Sequence, residues 1–287
     1  MGGTPGRDPF AGGDQAYLRE VQYRDSTRLA ARARLHVKYG TARIAWFPWV
    51  ATQIDWPVGG RVLEVGCGAG WLWAEASAHL PAGLRLTLTD LSPGMVAEAV
   101  GRVAGLERHR RVEGRIADAQ ALPFAADSFE VVVANHMLYH VPDPRLAVTE
   151  LARVVRPDGV LIAGTVGPSH LRELAEIRAE VFGGPRVLAT VDAFGIEVGA
   201  PMLRGCFADV EWRHYDDCLD CTDPDDVMAF LASTPPVEDA SHEDRRRVVE
   251  AVQRRFAAGG GRMRISKETG VFVCAGSRVV GSPAAAI

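Results

Sequence analysis

Lysine is nearly missing from this chain: among 287 residues it occurs only at Lys38 and Lys267, and arginine supplies the rest of the positive charge. The 32 basic residues are scattered among 36 acidic ones, giving a net charge of −4 and no basic strip for a nucleic acid to follow. The densest basic group, Arg245-Arg246-Arg247 with Arg254-Arg255, flanks Val248, Val252 and Phe256 at helical spacing and reads as a solvated helix face. Also missing is any apolar run near the roughly 20 residues that cross a bilayer, and Met1 to Gly13 has no apolar leader core. A cytoplasmic location with neither nucleic acid nor membrane as partner is expected. The five cysteines (Cys67, Cys206, Cys218, Cys221, Cys274) are an odd number without framework spacing, as expected for reduced thiols. Cys218-Leu219-Asp220-Cys221 has no second pair to complete a zinc site, and no carboxylate cluster marks a divalent ion, so no metal is expected. Repeats and low-complexity blocks are absent too.

What is present is an ordinary globular composition, 47% hydrophobic, able to bury a full core. Strand-like runs at Arg61–Val65, Leu84–Thr89, Arg111–Ala117, Phe129–Ala134 and Gly159–Thr165 alternate with helical patterns, which predicts a mostly parallel sheet covered on both faces. Helices are predicted over Asp14–Trp56, Leu171–Val181, Asp192–Leu203, Asp223–Ala232 and His242–Ala257, a long strand over Ala208–Cys218, and a last strand at Val271–Ala275.

The first strand runs straight into Gly66-Cys67-Gly68-Ala69-Gly70. Alternate glycines leave no Cβ in the way, so backbone amides can approach a ligand closely before the helix opening near Trp71. Trp71 stands where a dinucleotide fingerprint would need its last glycine, which weakens a nucleotide-binding oxidoreductase reading. The second strand ends at Asp90, placed to accept from two ribose hydroxyls, with Leu91 beside it and Ser92-Pro93 opening a helix. The third strand ends at Asp118, which could accept from an exocyclic amine while the amide of Ala119 serves a ring nitrogen.

Glu64-Val65-Gly66-Cys67-Gly68-Ala69-Gly70, Asp90-Leu91-Ser92, Asp118 through Phe124, and Arg153-Val154-Val155-Arg156-Pro157-Asp158-Gly159 together resemble the class I S-adenosylmethionine-dependent methyltransferases, closest to their small-molecule branch. The resemblance covers roughly Arg61 to Thr165; Asp158-Gly159 stands where two glycines are usual, with Asp expected to tolerate a left-handed turn. It implies a Rossmann-like, seven-stranded α/β fold and S-adenosylmethionine as cofactor. Gly66, Cys67, Gly68 and Gly70 would line its methionine part, with Glu64 near the ammonium group or orienting the loop. Asp90 would hold the ribose, Leu91 and Met95 would flank the adenine, Asp118 and Ala119 would read its edge, and Asn135 would present backbone near the sulfonium.

The organisation expected is a helical cap over 1–57, the cofactor-binding core over 58–166, the rest of the core with helical lid insertions after strands 5 and 6 over 167–277, and a flexible tail over 278–287. His136, Tyr139 and His140, at the end of the fourth strand, would share one face of a helical turn and reach the substrate. Tyr23 joins them as a catalytic candidate, and Tyr17 is a second cap tyrosine. Asn135-His136-Met137 lacks the Pro-Pro-aromatic continuation of nucleic-acid amino-methylating relatives. Apolar lid residues (Trp46, Phe47, Trp49, Phe182, Phe194, Met202, Leu203) suggest a small, hydrophobic methyl acceptor, taken by a monomer or homodimer. The alternative keeps the cofactor without the transfer, as in a cyclisation or elimination.

Overall fold

The structure is a computed structural model that describes residues 14–106, 108–109 and 111–279. The expected tail therefore lies outside the described residues beyond Val279. Asp14 caps α1 (Gln15–Tyr17) by accepting from the Tyr17 amide at 2.9 Å, and the chain continues through a π-helical turn at Leu18–Gln22. Next come α2 (Thr27–Tyr39) and α3 (Trp46–Ala51). The alternating part follows: β1 (Arg61–Val65), α4 (Trp71–Glu75), β2 (Arg85–Asp90), α5 (Pro93–Ala104), β3 (Arg111–Ile116), β4 (Phe129–Asn135), α6 (Pro144–Val154) and β5 (Val155–Val166). The remainder comprises α7 (Arg172–Phe182), α8 (Thr190–Phe194), α9 (Ile196–Cys206), β6 (Phe207–Tyr215), β7 (Cys218–Cys221), α10 (Pro224–Leu231), α11 (His242–Ala258), β8 (Met263–Ser266) and β9 (Thr269–Ser277).

Seven strands form one sheet in the order β3-β2-β1-β4-β5-β9-β6. β1 to β5 pair in parallel, and β9 runs antiparallel between β5 and β6. The central strands are apolar along nearly their whole length because helices cover both faces: Val62, Leu63, Val131, Val132 and Val133 are all buried. One core cluster joins this sheet to α6 and α9 through Leu151, Leu161, Leu203 and Phe272. On the opposite face, Leu72, Trp73, Leu86 and Val103 pack under α3 to α5. The order of strands reverses between β1 and β4, so the carboxyl ends of these two strands open a crevice there.

A third cluster is separate from these two. Leu35 of α2, Leu174 and Ile177 of α7, Leu219 of β7, Leu231 of α10, Val248 of α11 and Ile265 of β8 build a core of their own. Fully burying each such side chain contributes about 1.5–3 kcal/mol, so this lid is held by packing of its own. It is not purely helical: β7 and β8 pair into an antiparallel ribbon, with Leu219 opposite Ile265.

Three sequence expectations need correction. The helix over Asp192–Leu203 is two helices, broken at Gly195, where a Cβ would lie 2.6 Å from the Val191 carbonyl. The long strand over Ala208–Cys218 ends at Tyr215, its last partner on β9 being Thr269, and Cys218 begins the ribbon instead. No left-handed turn forms at Asp158-Gly159; β5 begins at Val155 and passes them with a register shift against Phe129 and Val131.

Candidate active site at the carboxyl ends of the strands

A cavity of about 1130 Å³ lies over the crevice between β1 and β4 and extends beneath the lid. Single ligand pockets span roughly 300–1,000 Å³, so the space exceeds what one bound molecule needs.

At the sheet end of the cavity the loop after β1 supplies the wall. Gly66 has φ +69°, and a Cβ there would lie 2.6 Å from that of Met137; Gly68 has φ +51°. Both line the cavity, as do Cys67 and Glu64. The Gly68 amide donates to Asp90 Oδ2 at 3.0 Å and the Ser92 amide to Oδ1 at 2.9 Å, so two backbone groups aim one carboxylate. Burial raises the Asp90 carboxyl above its usual range, opposed by these amides. Glu64 accepts from the Trp73 indole at 2.6 Å, and its burial pushes its carboxyl up to about 8. Burial, helped by Asp90 and Glu64, also drives the Cys67 thiol well up, which leaves it protonated.

Asp118 accepts from the Gln15 amide group at 3.0 Å and the Gln120 backbone at 2.9 Å. Desolvation works against its charge, but hydrogen bonds from Gln120 and Gln15 outweigh it and hold the carboxyl below its usual value. Leu91 and Ala119 line the wall between Asp90 and Asp118. Asn135 lines it from β4, and its Oδ1 is buried with no partner among the described residues. A Cβ on Gly164 would sit 2.4 Å from that oxygen, so the glycine makes room for it.

Two residues expected here lie elsewhere. Gly70 does not line the cavity; its φ of +75° and a notional Cβ 2.9 Å from Ala99 Cα show a glycine that lets α4 and α5 approach. Met95 is fully buried on the inner face of α5, where Ser92 accepts from its amide at 3.3 Å. Of the lid apolar residues, Trp46 and Phe47 line the cavity, whereas Phe194 and Leu203 belong to the sheet's core. Tyr17 receives a hydrogen bond from Gln22 and donates to Glu238, locking the cap to the loop before α11.

Farther from the strand ends, Tyr23, His136, Tyr139 and His140 all line the cavity. The Tyr23 hydroxyl and His140 Nε2 are 2.8 Å apart, and the Tyr139 ring packs edge-on against His140 with centroids 4.6 Å apart. Arg32 sits over the Tyr23 ring at 5.5 Å. Burial raises the phenols of Tyr23 and Tyr139. The shared helical face did not form: His136 has φ +55° and donates its amide to Gly164 O, and only Leu138–His140 make a 3-10 turn. His136 instead packs on Trp46, with centroids 4.8 Å apart, and burial with Lys267 and His140 pushes it down to about 3.

Several lining residues escaped the sequence reading: His36, His170, Tyr215, Asp217, Lys267 and Thr269. They come from α2, the β5–α7 loop and the β6 and β8–β9 ends. The one hint in the sequence was lysine's rarity, since one of two lysines falls among them.

The fold agrees with what known proteins show. Residues 63–163 match the family described as methyltransferase domain. A malonyl-[acyl-carrier protein] O-methyltransferase of Hahella chejuensis is 35% identical over 164 residues, 55% of this chain and 56% of that protein. A ubiquinone biosynthesis O-methyltransferase of Xanthomonas oryzae is 39% identical over 121 residues, 41% and 47% of the respective chains. The chain thus spans about half the length of the curated relatives it matches. Among solved structures, the [4+2]-cyclase SpnF superposes with a TM-score of 0.57 at 19% identity, over 96% of this chain and 99% of that one, a likeness of fold. Residues 63–163 thus carry a methyltransferase domain of the kind that takes S-adenosylmethionine as cofactor.

Proposed function

We propose that this protein transfers a methyl group to a small, largely apolar acceptor by in-line displacement, as a cytoplasmic enzyme of small-molecule metabolism. The observation that carries the reading is one continuous cavity, walled at one end by aimed carboxylates and bare glycine backbone and at the other by aromatic and histidine side chains.

The sheet end fits the cofactor. Asp90 is aimed for a vicinal diol and Asp118 and Ala119 for the edge of a purine, with Asn135 on the same wall. Gly66 and Gly68 would let backbone lie against the amino-acid part. Glu64, protonated near neutral pH without a ligand, would ionise beside an ammonium group. When bound, the cofactor supplies an electrophilic methyl on a sulfonium.

The chain's own task is then to orient and dehydrate. Holding nucleophile and methyl at near-attack distance contributes on the order of 7–11 kcal/mol, whereas a positioned base adds roughly 10²- to 10⁴-fold. His140 is the group we assign to the acceptor's proton, because Tyr23 and Tyr139 fix its ring at the cavity wall. His136, held neutral by burial, is assigned to acceptor positioning. Methyl transfer predicts S-adenosylhomocysteine, together with a product one methylene unit heavier, when the protein is incubated with S-adenosylmethionine and metabolite extracts. A turned-over substrate with no S-adenosylhomocysteine would favour the second reading, a non-methylating reaction, which the cyclase fold match supports at the level of architecture.

A further inference from the structure

The lid wall of the cavity holds a cluster that the transfer reaction itself does not use. His36 and His170 stack with centroids 6.3 Å apart and planes 8° from parallel. Each has a buried Nδ1 without a partner among the described residues, and the His170 side chain is more than nine-tenths buried. Both rings line the cavity. Beside them Lys267 and Asp217 form an ion pair, 6% and 3% exposed, which also lines it. Asp217 is otherwise occupied by the amides of Thr41 and Ala42 at 2.7 and 3.0 Å. Lys267 lies 5.2 Å over the Tyr215 ring, and its ammonium keeps donors beyond the one given to Asp217. Trp46 packs edge-on against Tyr215, so flat apolar surface adjoins these polar atoms.

Unpartnered buried nitrogens cost free energy that a bound molecule can recover. The Lys267 charge in this wall is already compensated by Asp217, and the imidazoles are neutral: burial, then the Lys267 charge, pushes His36 down to about 3, and burial, then His36 and Lys267, pushes His170 well below its ordinary value. Arg32 adds to that bias at His36. An anionic acceptor would leave a net charge in a desolvated corner, which is expensive. A neutral imidazole offers either a donor or an acceptor nitrogen, the complement of a hydroxyl or carbonyl group.

We infer that His36 and His170, with the Lys267–Asp217 pair behind them, form the acceptor-recognition wall, and that they select an uncharged, planar molecule bearing hydroxyl or carbonyl oxygen. The inference rests on the methyl-transfer reading. Titration of the full chain with S-adenosylhomocysteine alone tests that reading separately, so the two failures can be told apart.

The probes for the wall share one bicyclic body: naphthol, naphthoate and naphthalene, each titrated calorimetrically into the protein saturated with S-adenosylhomocysteine. Naphthol is expected to bind at least tenfold more tightly than naphthoate. His36→Phe and His170→Phe should each weaken naphthol about tenfold, the worth of one hydrogen bond, and leave naphthalene unchanged. Naphthoate binding as well as naphthol would make the wall an anion site and overturn the inference. So would naphthol affinity unmoved in both variants, naphthol failing to bind, or a parallel loss of naphthalene, which would mark the histidines as merely structural.

Discussion

The two ends of the cavity are built by different means. At the sheet end, the carboxylates and glycines of the wall lie at or just past strand ends: Glu64 to Gly68 on β1, Asp90 to Ser92 on β2, Asp118 and Ala119 after β3, Asn135 on β4. At the lid end, His36, Trp46, His170, Asp217 and Lys267 come from five separate segments, brought together by a lid with its own hydrophobic core. A wall of consecutive residues can be aimed by backbone amides, as Gly68 and Ser92 aim Asp90. A wall of scattered side chains needs a latch, and the buried Lys267–Asp217 pair, tied to Thr41 and Ala42, serves as one.

That difference can be broken most forcefully at the latch. Asp217→Ala leaves Lys267 buried and unpaired, and breaking one partner of such a pair costs about 3–5 kcal/mol. Urea unfolding should show the loss, and the double change Asp217→Asn with Lys267→Met should recover much of it. Next in size is Gly70→Ala, which forces a Cβ towards Ala99 at positive φ and should cost roughly 1–3 kcal/mol. Because Gly70 does not line the cavity, cofactor affinity of the folded variant should not change. Equal loss of affinity and stability would return this glycine to the ligand wall. Smaller still, Tyr23→Phe removes the hydroxyl beside His140 and should lower turnover about tenfold at constant cofactor affinity, less than the roughly 10²- to 10⁴-fold that a general acid or base itself contributes. Full turnover would take Tyr23 off the catalytic list.

The ends should also respond oppositely to pH. His36 and His136 fall from 6.5 to about 3 in the fold, so their contribution to stability is complete above 6.5 and is lost as pH falls towards 3. Glu64 rises from 4.5 to about 8, so its contribution is complete below 4.5 and is lost as pH climbs towards 8. Denaturation midpoints should accordingly lose acid sensitivity in His36→Phe and alkaline sensitivity in Glu64→Gln. A variant losing the other limb would contradict the assignment.

The same contrast explains what the sequence disclosed. The mostly parallel sheet, the strand positions and the acids and glycines at the strand ends were legible because each depends on neighbours a few residues away: apolar runs, a glycine turn, an acid at a strand end. Even there, Gly70 and Met95 show the limit, since a turn glycine and a helix methionine do not announce whether they face a ligand or a packed helix. The ribbon of β7 and β8 was not legible. Its four-residue strands lie 41 residues apart, and neither Cys218–Cys221 nor Met263–Ser266 carries enough alternation to stand out. His36, His170 and Lys267 acquire meaning only when the lid folds.

The central claim is that aimed carboxylates and bare glycine backbone at the strand ends hold S-adenosylmethionine. Calorimetric titration of wild type and Asp90→Ala with that compound tests it most directly. The account predicts one site in the wild type and a loss of about 10²-fold or more in the variant, since hydrogen bonds to a charged group are each worth about 1.5–3 kcal/mol. Unchanged affinity in a folded Asp90→Ala protein would contradict it.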